Sequence, residues 1–93
     1  MSELDLAGGW HLAPQVALRP EPFGALAYHF GTRRLSFLKN LTLLEVVRGL
    51  EDAPSAAAAC VAAGVPEAEL PRYARALGTL ASTGMICPKE PVA

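Results

Sequence analysis

The chain has 93 residues, of which 52% are hydrophobic and 18% are charged, a balance typical of one folded domain rather than a disordered chain. Its formal net charge of −1 gives no overall attraction to nucleic acid or to an anionic membrane surface. The longest apolar run, Ala56 to Ala63, is far too short to span a membrane, and the acidic start MSELDLAGGW does not resemble a secretory signal. We therefore expect a cytoplasmic protein without a nucleic-acid or membrane partner.

The chain divides into three parts along its length. Residues 1–9 combine acidic residues with a glycine pair and predict a flexible N-terminal arm. A single domain is expected over residues 10–87, followed by a C-terminal tail over residues 88–93. Within the domain, the period of the apolar pattern changes from two to between three and four after Leu38, which indicates strands first and helices afterwards.

Three strands are predicted before this change of period. The first ends in a turn rich in proline and glycine at residues 20–24. The second and third strands, residues 25–30 and 33–38, flank the dipeptide Gly31-Thr32. This dipeptide predicts a two-residue hairpin turn in which glycine adopts a positive φ at little cost.

The predicted turn sets the register of the hairpin. It places Tyr28 opposite Leu35, Leu26 opposite Phe37 and Phe30 opposite Arg33. One face of the sheet then carries Leu26, Tyr28, Leu35 and Phe37, and the other carries Ala27, His29, Arg34 and Ser36. Because a slip of one residue would scatter the large side chains over both faces, the pattern supports this register.

Two short helices are predicted after the strands. The apolar stripe of the first consists of Leu43, Val46, Val47 and Leu50. This helix begins between residues 40 and 42, because Asn40 is a good N-cap and Thr42 with Glu45 forms a competing capping box. Ser55 is expected to cap a second, alanine-rich helix over residues 56–63, which Gly64 ends.

The third helix has the clearest pattern, with Pro71 in its first turn and Gly84 just after its end. Its apolar stripe consists of Leu70, Tyr73, Ala74, Leu77, Leu80 and Ala81. Three strands followed by three helices predict a winged-helix-like α+β fold. In such a fold the helices cover one face of a three-stranded antiparallel sheet.

Side chains suited to catalysis or metal binding are sparse. His11 and His29 have no carboxylate or cysteine at a spacing typical of a catalytic pair or a metal site. Cys60 lies inside the alanine-rich helix and is expected to be buried. Cys87 has one nearby cation, Lys89, which is weak support for a reactive thiol. We therefore expect no enzymatic activity, no metal and no cofactor.

Two features suggest binding of an extended peptide. The third strand, residues 33–38, would form an open sheet edge, and the third helix offers a mixed polar and apolar margin beside it. That margin consists of Arg72, Ala76, Thr79, Leu80 and Thr83. Two alternatives remain open: Arg33 and Arg34 protect the edge and the helix margin is solvated, or the open edge serves a dimerisation module.

A different class, a small winged-helix transcription regulator, would use the second and third helices as a helix-turn-helix. A recognition helix usually carries a local excess of cations that contact phosphates. Here the third helix and the residues leading into it carry Glu67, Glu69, Arg72 and Arg75, which cancel. This balance disfavours binding to DNA.

The segment RPEPFGALAYHFGTRRLSFL, followed by LTLLEVVRGL and LPRYARALGTLASTGMI, closely resembles the peptide-binding proteins of mycofactocin biosynthesis over residues 10–87. These proteins belong to the PqqD-like family, the recognition elements of ribosomally synthesised and modified peptides. The resemblance implies a non-catalytic adaptor that binds a precursor's leader as an added strand between the third strand and the third helix. It would present that leader to a radical S-adenosylmethionine maturase. The iron–sulfur cluster and S-adenosylmethionine would belong to the maturase.

The resemblance maps the leader site to the third strand, residues 33–38, and to the third helix, about residues 70–83. The pattern and the resemblance together give the residues expected to contact the leader. They are Arg33, Arg34, Leu35, Ser36, Phe37, Leu38, Arg72, Arg75, Ala76, Thr79, Leu80 and Thr83. Among them, the expected partners of acidic leader residues are Arg34, Arg72 and Arg75. Leu38 and Leu80 are expected to form an apolar floor.

Overall fold

The computed structural model describes residues 6–89, and these contain five strands and three α-helices. In chain order they are β1 (Trp10–Leu12), β2 (Val16–Glu21), β3 (Gly24–His29), β4 (Leu35–Leu38), α1 (Leu41–Gly49), α2 (Ala56–Ala62), α3 (Leu70–Ser82) and β5 (Ile86–Pro88). Short 3-10 helices follow α1 and precede α3, at Leu50–Asp52 and Glu67–Glu69. The predicted α+β class is confirmed.

Strand β3 is the centre of an antiparallel sheet with the order β2-β3-β4. Tyr28 lies opposite Leu35 and Leu26 lies opposite Phe37, which confirms the predicted register of the hairpin. The two remaining strands, β1 and β5, form a separate antiparallel pair in which Leu12 faces Ile86. This pair brings the end of the domain back to its beginning.

The turn between β3 and β4 differs from the prediction of a two-residue turn with glycine at positive φ. The loop spans residues 30–33, and its left-handed residue is Arg33, with φ of 62°, rather than Gly31. The physical reason is the His29 side chain, whose Nδ1 accepts hydrogen bonds from the amides of Gly31 and Thr32 at 3.0 and 3.1 Å. The wider loop is therefore held by an imidazole, and the predicted pair of Phe30 and Arg33 lies within it.

The two faces of the sheet differ in the size of their side chains. Ala25, Ala27 and Leu38 are buried on the face that packs against α1. Leu35 and Phe37, on the opposite face, are more than half exposed. The division into faces predicted from the hairpin register is correct, and the face over the core carries the small residues Ala25 and Ala27 together with Leu38. Close packing also explains Gly24, where a Cβ would collide with the Leu38 carbonyl oxygen.

The helices begin and end at the residues that the sequence indicates. Asn40 caps α1, since its Oδ1 accepts a hydrogen bond from Leu43 N at 2.7 Å, and Ser55 Oγ caps α2 by accepting from Ala58 N at 3.1 Å. Gly64 follows α2 with a φ of 88°. The predicted apolar stripes are largely in the core, which includes Leu43, Val46, Val47, Leu50, Tyr73, Leu77 and Leu80. None of the described helices is long and apolar enough to cross a membrane.

The described ends of the chain are bonded to the body of the domain. Leu6 and Gly8 accept hydrogen bonds from the first two amides of α2 at 2.9 and 3.0 Å. Lys89 donates from Nζ to the carbonyls of Glu51 and Ala53 at 2.9 and 2.8 Å. Residues 1–5 of the predicted arm and residues 90–93 of the predicted tail lie outside the described residues.

Candidate functional site

A groove of about 760 Å³ runs between strand β4 and helix α3. One wall is formed by β4 and the chain that leads from it into α1, and the other wall is formed by α3. The residues that line it are Leu35, Ser36, Phe37, Lys39, Asn40, Leu43, Arg72, Tyr73, Arg75, Ala76, Thr79 and Leu80. At one place the two walls approach each other, where Ser36 Oγ lies 3.5 Å from Thr83 Oγ1.

The strand wall of this groove is a sheet edge with free backbone groups. His29 N donates to Arg34 O at 2.9 Å, so this pair is hydrogen-bonded. Hydrogen-bonded and non-bonded pairs alternate along an antiparallel ladder, which directs the backbone groups of Ser36 and Leu38 towards β3. The N–H and C=O groups of Leu35 and Phe37 therefore point away from the sheet. An extended chain alongside would bond to these two residues.

The charged side chains that line the groove are all cationic. Lys39, Arg72 and Arg75 are exposed, and the lining contains no carboxylate. Within residues 6–89 none of the three forms an ion pair, and the pair that does form, between Arg19 Nε and Glu21 Oε2 at 3.2 Å, lies on β2. Because these three cations have no ion-pair partner among the described residues, the groove favours an acidic partner.

The floor of the groove is apolar and firmly packed. Leu43, Tyr73 and Leu80 are buried in the core and present only a small part of their surface to the groove. Ala76 lies half-buried between them on the helix wall and leaves room for a side chain of the partner. This floor suits aliphatic side chains at alternate positions of an extended peptide.

Eight of the twelve predicted contact residues line this groove, and four do not. Arg33 and Arg34 are exposed at the hairpin turn, and Thr83 contacts Ser36 at the point where the walls approach. Leu38 is completely buried, so its side chain supports the groove from within the core and lies outside the lining.

The prediction omitted four lining residues. Lys39 and Asn40 lie where the chain leaves β4, and Leu43 and Tyr73 were assigned to the core stripes alone. A cation directly after an edge strand was the signal that could have identified Lys39.

The side chains weighed for catalysis have ordinary environments. Cys60 is completely buried, and burial raises the pKa of its thiol above the usual value, which makes it a poor nucleophile. His11 Nδ1 lies 2.9 Å from the Leu12 carbonyl, and His29 holds the hairpin turn. Over residues 6–89, no three side chains of His, Cys, Asp or Glu come together as potential metal ligands.

Fold and groove together define a small α+β protein with an open strand edge beside a cationic, apolar-floored groove. The profile of the peptide chaperone MftB family matches residues 9–87. The chain belongs to this family.

Three relatives named peptide chaperone MftB are similar over most of their length. The protein of Mycobacterium tuberculosis is 55% identical over 89 residues, which cover 96% of this chain and 82% of the relative. That of Mycobacterium ulcerans is 60% identical over 82 residues, with coverage of 88% and 75%. That of Mycolicibacterium smegmatis is 56% identical over 82 residues, with coverage of 88% and 80%. No solved structure matches the chain.

Proposed function

We propose that this chain is a non-catalytic peptide chaperone of mycofactocin biosynthesis. It binds the leader region of a ribosomally synthesised precursor as an added strand on β4 and presents that precursor to a radical S-adenosylmethionine maturase. The observation that carries the proposal is the outward-pointing backbone of Leu35 and Phe37 beside a groove of suitable charge. The names of the similar proteins, peptide chaperone MftB, support the peptide as the partner.

Affinity in this mode comes from the backbone and selectivity from the side chains. Leu35 and Phe37 each offer one N–H and one C=O to the incoming strand. Lys39, Arg72 and Arg75 favour acidic residues of the leader, and the floor of Leu43, Tyr73 and Leu80 favours aliphatic ones. A leader with acidic and aliphatic residues therefore fits the groove better than a basic one.

Catalysis is assigned to the maturase, which would hold the iron–sulfur cluster and S-adenosylmethionine. The work of this chain is to raise the local concentration of the precursor at that enzyme. Arg72 and Arg75, the cations of α3, line the groove, which supports a peptide rather than a DNA ligand for this helix. Because the precursor is made by ribosomes, we place the protein in the cytoplasm.

The test is a titration of the isotopically labelled protein with a synthetic leader peptide of its proposed precursor. We expect the amide signals of residues 33–38 and of the groove side of α3 to shift. The amides of Leu35 and Phe37 should gain protection from hydrogen exchange, since each acquires a partner. A scrambled peptide of the same composition is the control. If the shifts cluster on α1 or on residues 6–9 and leave β4 unchanged, the groove is the wrong site.

A further inference from the structure

The sheet has a second exposed surface, on the side opposite α1. This outer face consists of Phe23, Leu26, Tyr28, Phe30, Leu35 and Phe37. Phe23, Phe30, Leu35 and Phe37 are 51%, 61%, 54% and 63% exposed. The Phe23 and Phe37 rings lie 6.3 Å apart, and Tyr28 meets Phe30 edge to face at 5.2 Å. With the cross-strand pairs Leu26–Phe37 and Tyr28–Leu35, these contacts make the outer face continuous.

The outer face is a sizeable apolar patch, but it is too small by itself to hold a stable dimer. An aromatic side chain covers roughly 200 Å², so three phenylalanines exposed by half or more, together with Leu35, make a patch on the order of 400 Å². A patch of that size is often functional on a monomer, whereas a stable interface buries about 800 Å² on each partner. Another surface must therefore contribute if a protein docks here.

Strand addition on β4 would supply that surface. Leu35 and Phe37 line the groove and also belong to the outer face. Successive side chains of a strand point to opposite sides of its sheet. Half of the side chains of an added peptide would enter the groove, and the other half would extend the outer face beyond Phe37.

We infer that the outer face is the docking surface for the enzyme that modifies the peptide, and that the bound peptide completes this surface. The inference rests on the proposed function. Exposed Arg33 lies in the hairpin turn next to this face, while Arg19 forms an ion pair with Glu21. The matching surface on the enzyme is an apolar patch with a carboxylate at the rim that meets Arg33. Since enzyme and peptide share this surface, each strengthens the binding of the other by the same factor.

The experiment measures how tightly the purified maturase of the proposed pathway binds this protein, with and without the synthetic leader. Phe23→Ser and Phe30→Ser remove aromatic rings that lie outside the groove lining. Val61→Ser is the matched control, because Val61 is 67% exposed on α2. Thermal unfolding and leader affinity are measured for every variant, and sedimentation is measured for the wild type and Phe30→Ser.

For the wild type we expect the leader to tighten binding of the enzyme about tenfold, within the usual range of coupling between sites. Each phenylalanine variant should bind the leader normally but weaken the loaded complex with the enzyme by about tenfold, as truncation of an interface aromatic does. Val61→Ser should change neither affinity. If the leader binds and the enzyme does not distinguish the variants, this inference is wrong and the proposed function stands. A dimer that Phe30→Ser breaks, with unchanged enzyme affinity, would instead make the face a self-association surface. Failure of the wild type to bind the leader would overturn both.

Discussion

The two edges of the three-stranded sheet differ in their capacity to accept another strand. On β4, the outward backbone groups belong to Leu35 and Phe37, and both residues have an amide N–H to donate. On β2, the same alternation of hydrogen bonds turns Val16, Leu18 and Pro20 outward. Val16 N already donates to Ala13 O at 3.0 Å, and Pro20 has no N–H.

The β2 edge is therefore blocked at two of its three outward residues, Val16 and Pro20, while the β4 edge is open. An unprotected edge exposes a protein to unwanted pairing, and proline is a common means of protection. Here the protection stands on one edge only, and the groove with its cations lies beside the other. The open edge is therefore a property of β4 and is not shared by both edges of this small sheet.

The largest effect should follow from closing the β4 edge in the same way. Phe37→Pro removes an outward amide and should weaken leader binding by about 2 kcal/mol, the cost of leaving its partner unsatisfied. Phe37→Thr keeps the amide and removes only the ring, so the difference between the two isolates the backbone contribution. Calorimetric titration with the leader measures both. Equal affinities of these two variants would show that β4 does not pair with the peptide.

A proline one residue earlier should act on stability instead. Ser36 directs its amide towards β3, opposite Ala27, so Ser36→Pro breaks the native ladder and should cost about 1–3 kcal/mol of unfolding free energy. Urea denaturation measures this loss. Unchanged stability in Ser36→Pro would show that the assignment of inward and outward amides is reversed.

A smaller effect is expected from charge reversal beside the open edge. Arg72→Glu and Arg75→Glu should each weaken an acidic leader by about 1 kcal/mol, and the loss should shrink as salt is added. Arg34→Glu should weaken leader binding less, because Arg34 does not line the groove. Arg48→Glu, an exposed site on α1 outside the groove, controls for the change in net charge. If Arg48→Glu lost as much as Arg72→Glu, net charge rather than the groove would select the peptide.

The smallest effect should follow from opening the β2 edge. Pro20→Thr restores an outward N–H and should leave leader affinity unchanged. It should slightly increase self-association at high protein concentration, since an unprotected edge strand can pair with the same strand of a second molecule. Sedimentation velocity over a range of concentrations measures this. If Pro20→Thr improved leader binding, the peptide could also pair with β2. That result would contradict the proposed difference between the two edges.

Much of the fold was predictable because local signals agree with one another. Asn40, Ser55 and Gly64 mark helix ends by their own chemistry, and the alternation across the hairpin admits one register. What the pattern could not show is which face is buried, because α1 packs closely against small residues and leaves the large ones outside. The prediction of the turn was wrong because the His29 side chain accepts hydrogen bonds from two loop amides. Turn propensities do not include such a side-chain contact.

The groove was predictable in part. Its strand wall follows from the order of the strands, since the last of three in a meander is an edge. The residues of the helix wall depend on how α3 is rotated about its axis and on how closely it approaches β4. Both are set by tertiary packing, which the sequence pattern does not give. Leu43 and Tyr73 show the consequence: each belongs to an apolar stripe, and the packing of the helices brings both to the groove floor.

At Arg33, backbone conformational stability and the position of a surface charge favour different residues. A non-glycine residue at a φ of 62° carries a strain on the order of 1 kcal/mol, and glycine would relieve it. Gly31, two positions earlier, does not adopt a positive φ, whereas Arg33 does. Anyone who redesigns this protein for heat resistance alone would choose glycine at position 33 and discard the guanidinium group. The melting curve of the stabilised version would show only the gain in stability, and it would not reveal that a charge beside the outer face had been lost.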